Sequence, residues 1–87
     1  MKIDAVNNST WNVLSNVGRI IGEIFITIDD KYAIVSPKGE IPYTVELRNG
    51  IEYNDEWFKT LWEFCESRGK AHQILIFYGT NYKEVKR

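Results

Sequence analysis

Residues 55–68 read DEWFKTLWEFCESR, and their apolar positions recur with the period of an α-helix. At about 100° per residue, all the apolar side chains of this segment fall within one arc of about 160°. They are Trp57, Phe58, Leu61, Trp62, Phe64 and Cys65. Asn54 or Asp55 can cap the N-terminus, and Gly69 suits a C-terminal stop. The pattern therefore predicts one principal amphipathic helix over 55–68.

The apolar arc of this helix is wider than the stripe of roughly 100° that contact with one flat sheet requires. Its margins, Trp62 on one side and Trp57 with Phe64 on the other, therefore need a second cover. The N-terminal segment, the C-terminal tail or a partner protein could supply that cover. An exposed Trp62 would favour a partner, whereas enclosed margins would make the helix structural and place the interaction site elsewhere.

Before the helix, three segments are predicted to be strands, and the first and third alternate between apolar and polar residues, as half-buried strands do. The three segments are 23–28, 32–36 and 43–48, and they are separated by turn residues at Asp29-Asp30 and Pro37-Lys38-Gly39. The third segment alternates most clearly, with Tyr43, Val45 and Leu47 expected inside. Asn49-Gly50 follows it as a hairpin signal. The first half of the chain therefore predicts antiparallel strands.

Residues 73–78 are apolar at both odd and even positions, which point to opposite faces of a strand. This pattern predicts a central strand buried on both faces. With the expected registers, one sheet face receives the helix and gathers Ile24, Ile26, Ile28, Ile34, Val45, Leu47, Ile74 and Ile76. The opposite face has an apolar centre and polar surroundings; it gathers Phe25, Ala33, Val35, Leu75 and Phe77, with Thr27, Thr44, Glu46 and Arg48 between them. This second face is either covered by the N-terminal segment or meets a partner.

The N-terminal segment is interpreted as a short helix capped by Ser9 or Thr10, with an irregular segment as the alternative. Its apolar side would carry Trp11, Leu14 and Val17, and Gly18 would close it. The fold class predicted for the chain is α+β, with a mainly antiparallel sheet of four or five strands. The 55–68 helix packs on one face of that sheet. Residues 1–87 form a single domain, whose last residues, 80–87, are a tail that frays or adds a strand at an edge.

Charge and composition narrow the classes of function. The chain has 87 residues, and its 11 basic residues are interspersed with 12 acidic ones, which argues weakly against nucleic-acid binding. The one basic cluster, Lys83, Lys86 and Arg87, is interpreted as a solvated tail. One cysteine, no signal-peptide core and no apolar run of about 20 residues predict a cytoplasmic protein without a membrane segment. Abundant Ile, Asn, Lys and Tyr hint at an AT-rich source such as a phage or mobile element.

Candidate chemical groups are few. Cys65 and His72 form the one obvious nucleophile–base pair, but Cys65 lies inside the apolar arc, where a thiol is expected to be inert. Asp29-Asp30 is expected to be a turn, because the calcium-loop pattern is absent. Gly18 and Gly22 match neither a dinucleotide fingerprint nor a P-loop. We therefore expect no enzyme activity, no metal site and no cofactor.

The composition favours binding over catalysis, because Trp, Tyr and Arg are typical of interaction hot spots. The favoured hypothesis is a small protein-binding module, such as a phage- or mobile-element-encoded inhibitor, adaptor or accessory protein. Its partner is another protein or a second copy of the chain. The candidate partner-binding residues are Phe25, Arg48, Trp57, Trp62, Phe77 and Tyr82. The alternative hypothesis is a nucleic-acid-binding module that stacks bases on sheet-face aromatics and uses scattered basic residues.

Overall fold

A computed structural model describes residues 1–48, 51–68 and 74–78. These residues form six strands and one helix, which confirms the α+β class. The strands are β1 (Lys2–Ala5), β2 (Thr10–Leu14), β3 (Ile20–Ile26), β4 (Tyr32–Pro37), β5 (Tyr43–Leu47) and β6 (Ile74–Phe77), and the helix is α1 (Asp55–Arg68). They make one sheet in the order β1-β2-β3-β4-β5-β6. The sheet therefore has more strands than the four or five expected.

Neighbouring strands are antiparallel from β1 to β5, whereas β6 runs parallel to β5. Antiparallel neighbours need only short turns, and two of these turns contain glycines with positive φ, Gly18 at 86° and Gly39 at 79°. A parallel neighbour needs a crossover, and α1 lies within the connection from β5 to β6. The helix bounds agree with the prediction, and the Asn54 side chain accepts a hydrogen bond from the Trp57 amide at 2.8 Å.

The predicted N-terminal helix is wrong, because this segment forms strands β1 and β2 instead. Trp11 and Val13 lie on one side of β2, and Asn12 lies on the other. Asn and Val are mediocre helix formers, so pairing with β3 decides the outcome. Gly18 accordingly occupies the turn after β2, where its amide donates to the Ser15 carbonyl at 2.9 Å.

The faces of β3 and β5 follow the alternation of their sequences, with one exception. Ile24 and Ile26 are buried on the side of α1, as are Tyr43, Val45 and Leu47. Ile28 was expected beside them, but its side chain is 99% exposed. The reason is that β3 ends at Ile26, and residues 27–30 turn toward β4.

The predicted faces of β4 and β6 are reversed. Backbone pairing sets Val35 opposite Ile24 and Leu75 opposite Val45. Ala33, Val35, Leu75 and Phe77 therefore lie on the side of α1, and Ile34, Ile74 and Ile76 lie on the other. The strand predicted over 73–78 as a central strand instead lies at one edge of the sheet that the described residues form, and Ile74 is 84% exposed.

The sheet face under α1, here called the inner face, encloses both margins of the helix. Trp57 is 1% exposed and Trp62 is 3% exposed, while Phe64 is half-buried. A Cβ added to Gly22 of β3 would lie 2.7 Å from Cζ3 of Trp62, so glycine makes room for this ring. On the N-terminal strands, Trp11 packs on Phe58 with ring centroids 4.6 Å apart. The N-terminal segment thus widens the sheet under the helix.

Several sequence-based predictions lie outside the described residues. They are the hairpin signal at Asn49-Gly50, the helix stop at Gly69, the role of His72, the partner-binding role of Tyr82 and the tail at 80–87.

Candidate interaction face

The sheet face turned away from α1, here called the outer face, is built by strand register. Residues directly opposite one another form a row across five strands: Thr10, Phe25, Ile34, Thr44 and Ile74. Because alternate residues of a strand point to opposite faces, this row lies wholly on the outer face. No described element packs over it.

The centre of the outer face is apolar. Phe25 is 41% exposed, Ile34 is half-buried, and Ile74 is among the most exposed apolar side chains. The adjacent row adds Tyr32 and Ile76, both exposed, on either side of Glu46. These five apolar residues, Phe25, Tyr32, Ile34, Ile74 and Ile76, are here called the apolar centre. An apolar group of this kind on a small chain is typical of an interaction surface.

The surroundings of the apolar centre are polar and nearly neutral. Among the described residues on this side of the sheet, Lys2, Lys38 and Arg48 are basic, and Asp4, Glu23 and Glu46 are acidic. Arg48 and Glu46 form an ion pair, with Nη2 3.0 Å from Oε2. Both side chains remain partly exposed, so the pair contributes little to folding stability. Its effect is to neutralise the cation at this end of the outer face.

A shallow, open depression of about 320 Å³ lies at the other end of the outer face. It is lined by Asn12, Ile20, Gly22, Glu23, Ser36, Pro37 and Lys38. It follows the irregularity between β2 and β3, where Val13 pairs with Gly22 and Leu14 pairs with Ile20. Such a bulge bends a strand locally, which accounts for a depression at this place in the sheet.

Only part of the predicted partner-binding set lies on this surface. Phe25 and Arg48 are on the outer face and exposed. Trp57, Trp62 and Phe77 are buried between α1 and the inner face, so no partner reaches them in this conformation. The predicted set did not include Tyr32, Ile34, Ile74 and Ile76, which lie on the outer face; the sequence pattern had assigned the three isoleucines to the side of the helix.

The buried aromatic side chains form a structural cluster. Trp57 meets Phe58 and Phe77 edge-on, with ring centroids 5.2 and 5.7 Å apart. Edge-to-face contacts are favourable for aromatic pairs. The indole N–H of Trp57 is buried and has no hydrogen-bond partner within the described part of the chain. This cluster therefore supports the helix and also contains one unsatisfied donor.

The reactive groups considered in the sequence are constrained by their surroundings. Cys65 is buried, and desolvation, with a smaller effect from Glu66, raises the pKa of its thiol to about 12. This thiol is therefore not ionised at neutral pH, as its place in the apolar arc predicted. Within residues 1–48, 51–68 and 74–78, no three His, Cys, Asp or Glu side chains gather into a potential metal site.

The Asp29-Asp30 pair forms the predicted turn. The Asp29 carboxylate accepts hydrogen bonds from the Thr27 hydroxyl at 2.7 Å and from the Lys31 amide at 3.1 Å. These bonds, the Thr27 bond foremost, lower the pKa of Asp29. Asp30 has a φ of 60° and accepts a 2.5 Å hydrogen bond from the Tyr53 hydroxyl. The Asp29 carboxylate thus holds the turn, and the Asp30 carboxylate joins the turn to Tyr53.

Comparison with protein-family models, with curated proteins and with solved structures gave no significant match. Over the described residues, α1 is the one helix, and it is too short and too polar to cross a membrane. The evidence for a function therefore comes from the surfaces of this chain, and chiefly from the uncovered apolar centre of the outer face.

Proposed function

We propose that this chain is a non-catalytic protein-binding module that acts by stoichiometric binding through its outer face. The observation that carries the proposal is an apolar centre that no described element covers, set in polar, nearly neutral surroundings. Protein interfaces have this organisation, with a desolvated centre and a solvated polar rim. A small inhibitor, adaptor or accessory protein, encoded by a phage or mobile element, is the kind of protein that fits it.

The arrangement of the apolar centre supports binding rather than packing inside the chain. Phe25 and Ile34 face each other across β3 and β4, where directly opposed side chains are close enough to form one surface. Ile74 and Ile76 extend this surface to the β6 edge. Removing such side chains from water favours association at roughly 25 cal/mol per Å² of apolar area. A partner that covers them gains this term without rearranging the core.

The non-catalytic part of the proposal is supported by the state of the reactive groups. The single thiol is buried and protonated, and the Asp29-Asp30 carboxylates serve a turn. A nucleophile needs an adjacent base and access to substrate. Cys65 has no access in this conformation.

Nucleic-acid binding is the second candidate, and one observation favours it: Phe25 and Tyr32 present exposed rings on an open sheet face. Base stacking on such rings is worth about 1–3 kcal/mol per base. Against it, Arg48 is paired with Glu46, and Glu23 adds a negative charge at the other end of the outer face. If this candidate is correct, single-stranded DNA or RNA binds at about 50 mM salt and dissociates as salt rises.

The protein-binding proposal is tested by affinity capture from the native host with tagged wild type and two variants. Ile74→Lys places a charge on the outer face, and Ile28→Lys places the same charge in the β3–β4 turn. Both isoleucines are highly exposed, 84% and 99%, so neither substitution disturbs the core. We expect wild type and Ile28→Lys to retain a partner at equal stoichiometry and Ile74→Lys to lose it. A wild type that captures no partner and is also monomeric, or equal capture by Ile74→Lys, would contradict the proposal.

A further inference from the structure

The charges of the outer face are compatible with a second copy of the same face. Three carboxylates and three basic side chains lie on this side of the sheet, and one of each forms the Arg48–Glu46 ion pair. A face with a large net charge would repel its own copy, because like charges brought together cost several kcal/mol. This face has no such excess. Its neutrality also offers no complement to a strongly acidic or strongly basic partner.

The order of side chains across the sheet also suits self-association. In the row Thr10, Phe25, Ile34, Thr44 and Ile74, Ile34 is central, and each of its sides holds one threonine and one apolar residue. In a contact with two-fold symmetry, each residue meets the reciprocal residue of the other copy. A two-fold axis that lies between the two sheets and runs along this row through Ile34 sets each residue over its own counterpart, so Phe25, Ile34 and Ile74 of one copy meet Phe25, Ile34 and Ile74 of the other.

The size of the face decides what strength of contact it can support. Six strands about 4.8 Å apart and about five residues tall, at about 3.3 Å per residue, cover roughly 500 Å² in projection. Two such faces together bury about 1,000 Å², which meets the size expected of a specific interface and falls in its weaker class. The area therefore fits a reversible dimer that forms at raised concentration.

We propose that the occupant of the outer face is a second copy of this chain, packed sheet against sheet about a two-fold axis near Ile34. This inference rests on the proposed function, since it assigns a partner to the same face. Two packed sheets lie about 10 Å apart with side chains interdigitated, as in a β-sandwich. The dimer then has four layers, with the two α1 helices outermost.

The experiment is sedimentation equilibrium of the purified full chain from about 10 µM to about 1 mM, a range that brackets weak association. Wild type is expected to move from 10.2 kDa toward twice that mass as concentration rises. Ile34→Lys and Ile74→Lys are expected to raise the dimer dissociation constant roughly tenfold or more, because each puts a charge into the desolvated centre. Ile28→Lys is expected to match wild type.

Near-UV circular dichroism confirms that each variant is folded, and the high exposure of Ile74 keeps the test valid if Ile34→Lys does not fold. A wild type that stays at monomer mass throughout overturns the inference, as do face variants that dimerise like wild type. These outcomes are separate from the affinity capture. If the wild type is monomeric but Ile74→Lys loses a host partner, only the inference that a second copy occupies the outer face is overturned. A dimer that captures no host partner overturns only the inhibitor or adaptor role.

Discussion

Replacing Gly22 with alanine tests how closely the helix packs on the sheet. The new Cβ would lie 2.7 Å from Cζ3 of Trp62 and 2.8 Å from the carbonyl oxygen of Ser36. Carbon atoms in contact are normally about 3.5–4.0 Å apart. The Ser36 oxygen belongs to the paired strand β4, and Trp62 is a rigid ring buried in the core. Neither can move away without opening the inner face.

The size of the effect follows from two opposing terms. Overpacking a well-filled core costs about 1–3 kcal/mol and occasionally more. The φ of Gly22 lies outside the left-handed region, so alanine also restricts the unfolded chain and returns about 0.4–1 kcal/mol. We therefore expect Gly22→Ala to lower the free energy of unfolding by roughly 1–2 kcal/mol. For a domain of this size, that lowers Tm by about 5–15 °C.

The assay is urea denaturation of Gly22→Ala, Trp62→Phe and the double variant. Phenylalanine lacks the benzo ring that meets the new Cβ, so the double variant should lose less stability than the two single variants added together. Residues in contact show such coupling at about 0.5–3 kcal/mol. Gly39→Ala is the control, because nothing lies within 4 Å of its Cβ position and its positive φ adds only backbone strain. The reasoning would be refuted by a Gly22→Ala protein as stable as wild type, or by an equal loss from Gly22→Ala in the Trp62→Phe background.

Three further predictions concern polar groups. Trp57→Phe should change the free energy of unfolding by only about 1 kcal/mol. The apolar area lost is offset because the substitution removes a buried donor whose desolvation costs about 1–3 kcal/mol. A loss above about 3 kcal/mol in urea denaturation would mean that this N–H is hydrogen-bonded. Asp29 has a pKa lowered by its Thr27 and Lys31 hydrogen bonds, so its contribution to stability is present above its ordinary pKa of 3.8 and is lost as the pH falls below it. The urea midpoint of wild type should therefore fall as the pH is lowered below 3.8, and Asp29→Asn should reduce this fall. An equal fall in both proteins would count against the hydrogen bonds of Asp29 in the turn. Desolvation of the hydroxyl, and then its bond to Asp30, raise the pKa of Tyr53 to about 12. The contribution of this group to folding stability is therefore complete below pH 10.0 and is lost as the pH rises toward 12. The tyrosinate absorbance of wild type minus that of Tyr53→Phe should therefore have a midpoint near 12, and a midpoint near 10.0 would contradict the hydrogen bond of this partly desolvated hydroxyl to Asp30.

The helix illustrates what local sequence can predict. Its bounds, its cap at Asn54 and its buried apolar arc all follow from residues within a few positions of one another. The clean alternation of β5 likewise predicted the burial of Tyr43, Val45 and Leu47. In both elements, one face is apolar and the other polar, so a single orientation satisfies burial. Signals of this kind need no knowledge of the neighbouring elements.

The candidate site was predictable only in part, because local sequence signals do not show which neighbouring elements cover a residue. Phe25 belongs to an alternating strand, and its place on the outer face was expected. Trp57 and Trp62 have the composition of interaction hot spots, but two N-terminal strands widen the sheet and leave both enclosed. The wide apolar arc indicated that these rings needed a cover. It could not indicate whether the cover was this chain or a partner.

Residue pattern alone thus determined the α+β class, the principal helix and the faces of β3 and β5. Tertiary structure decided the faces of β4 and β6, because Ile34 and Val35, like Ile74 and Leu75, are equally apolar on either parity. Shifting a strand by one residue exchanges its two faces. Only hydrogen-bond register against β3 and β5 selects one of them. That choice put Ile34, Ile74 and Ile76 beside Phe25 and so created the outer face.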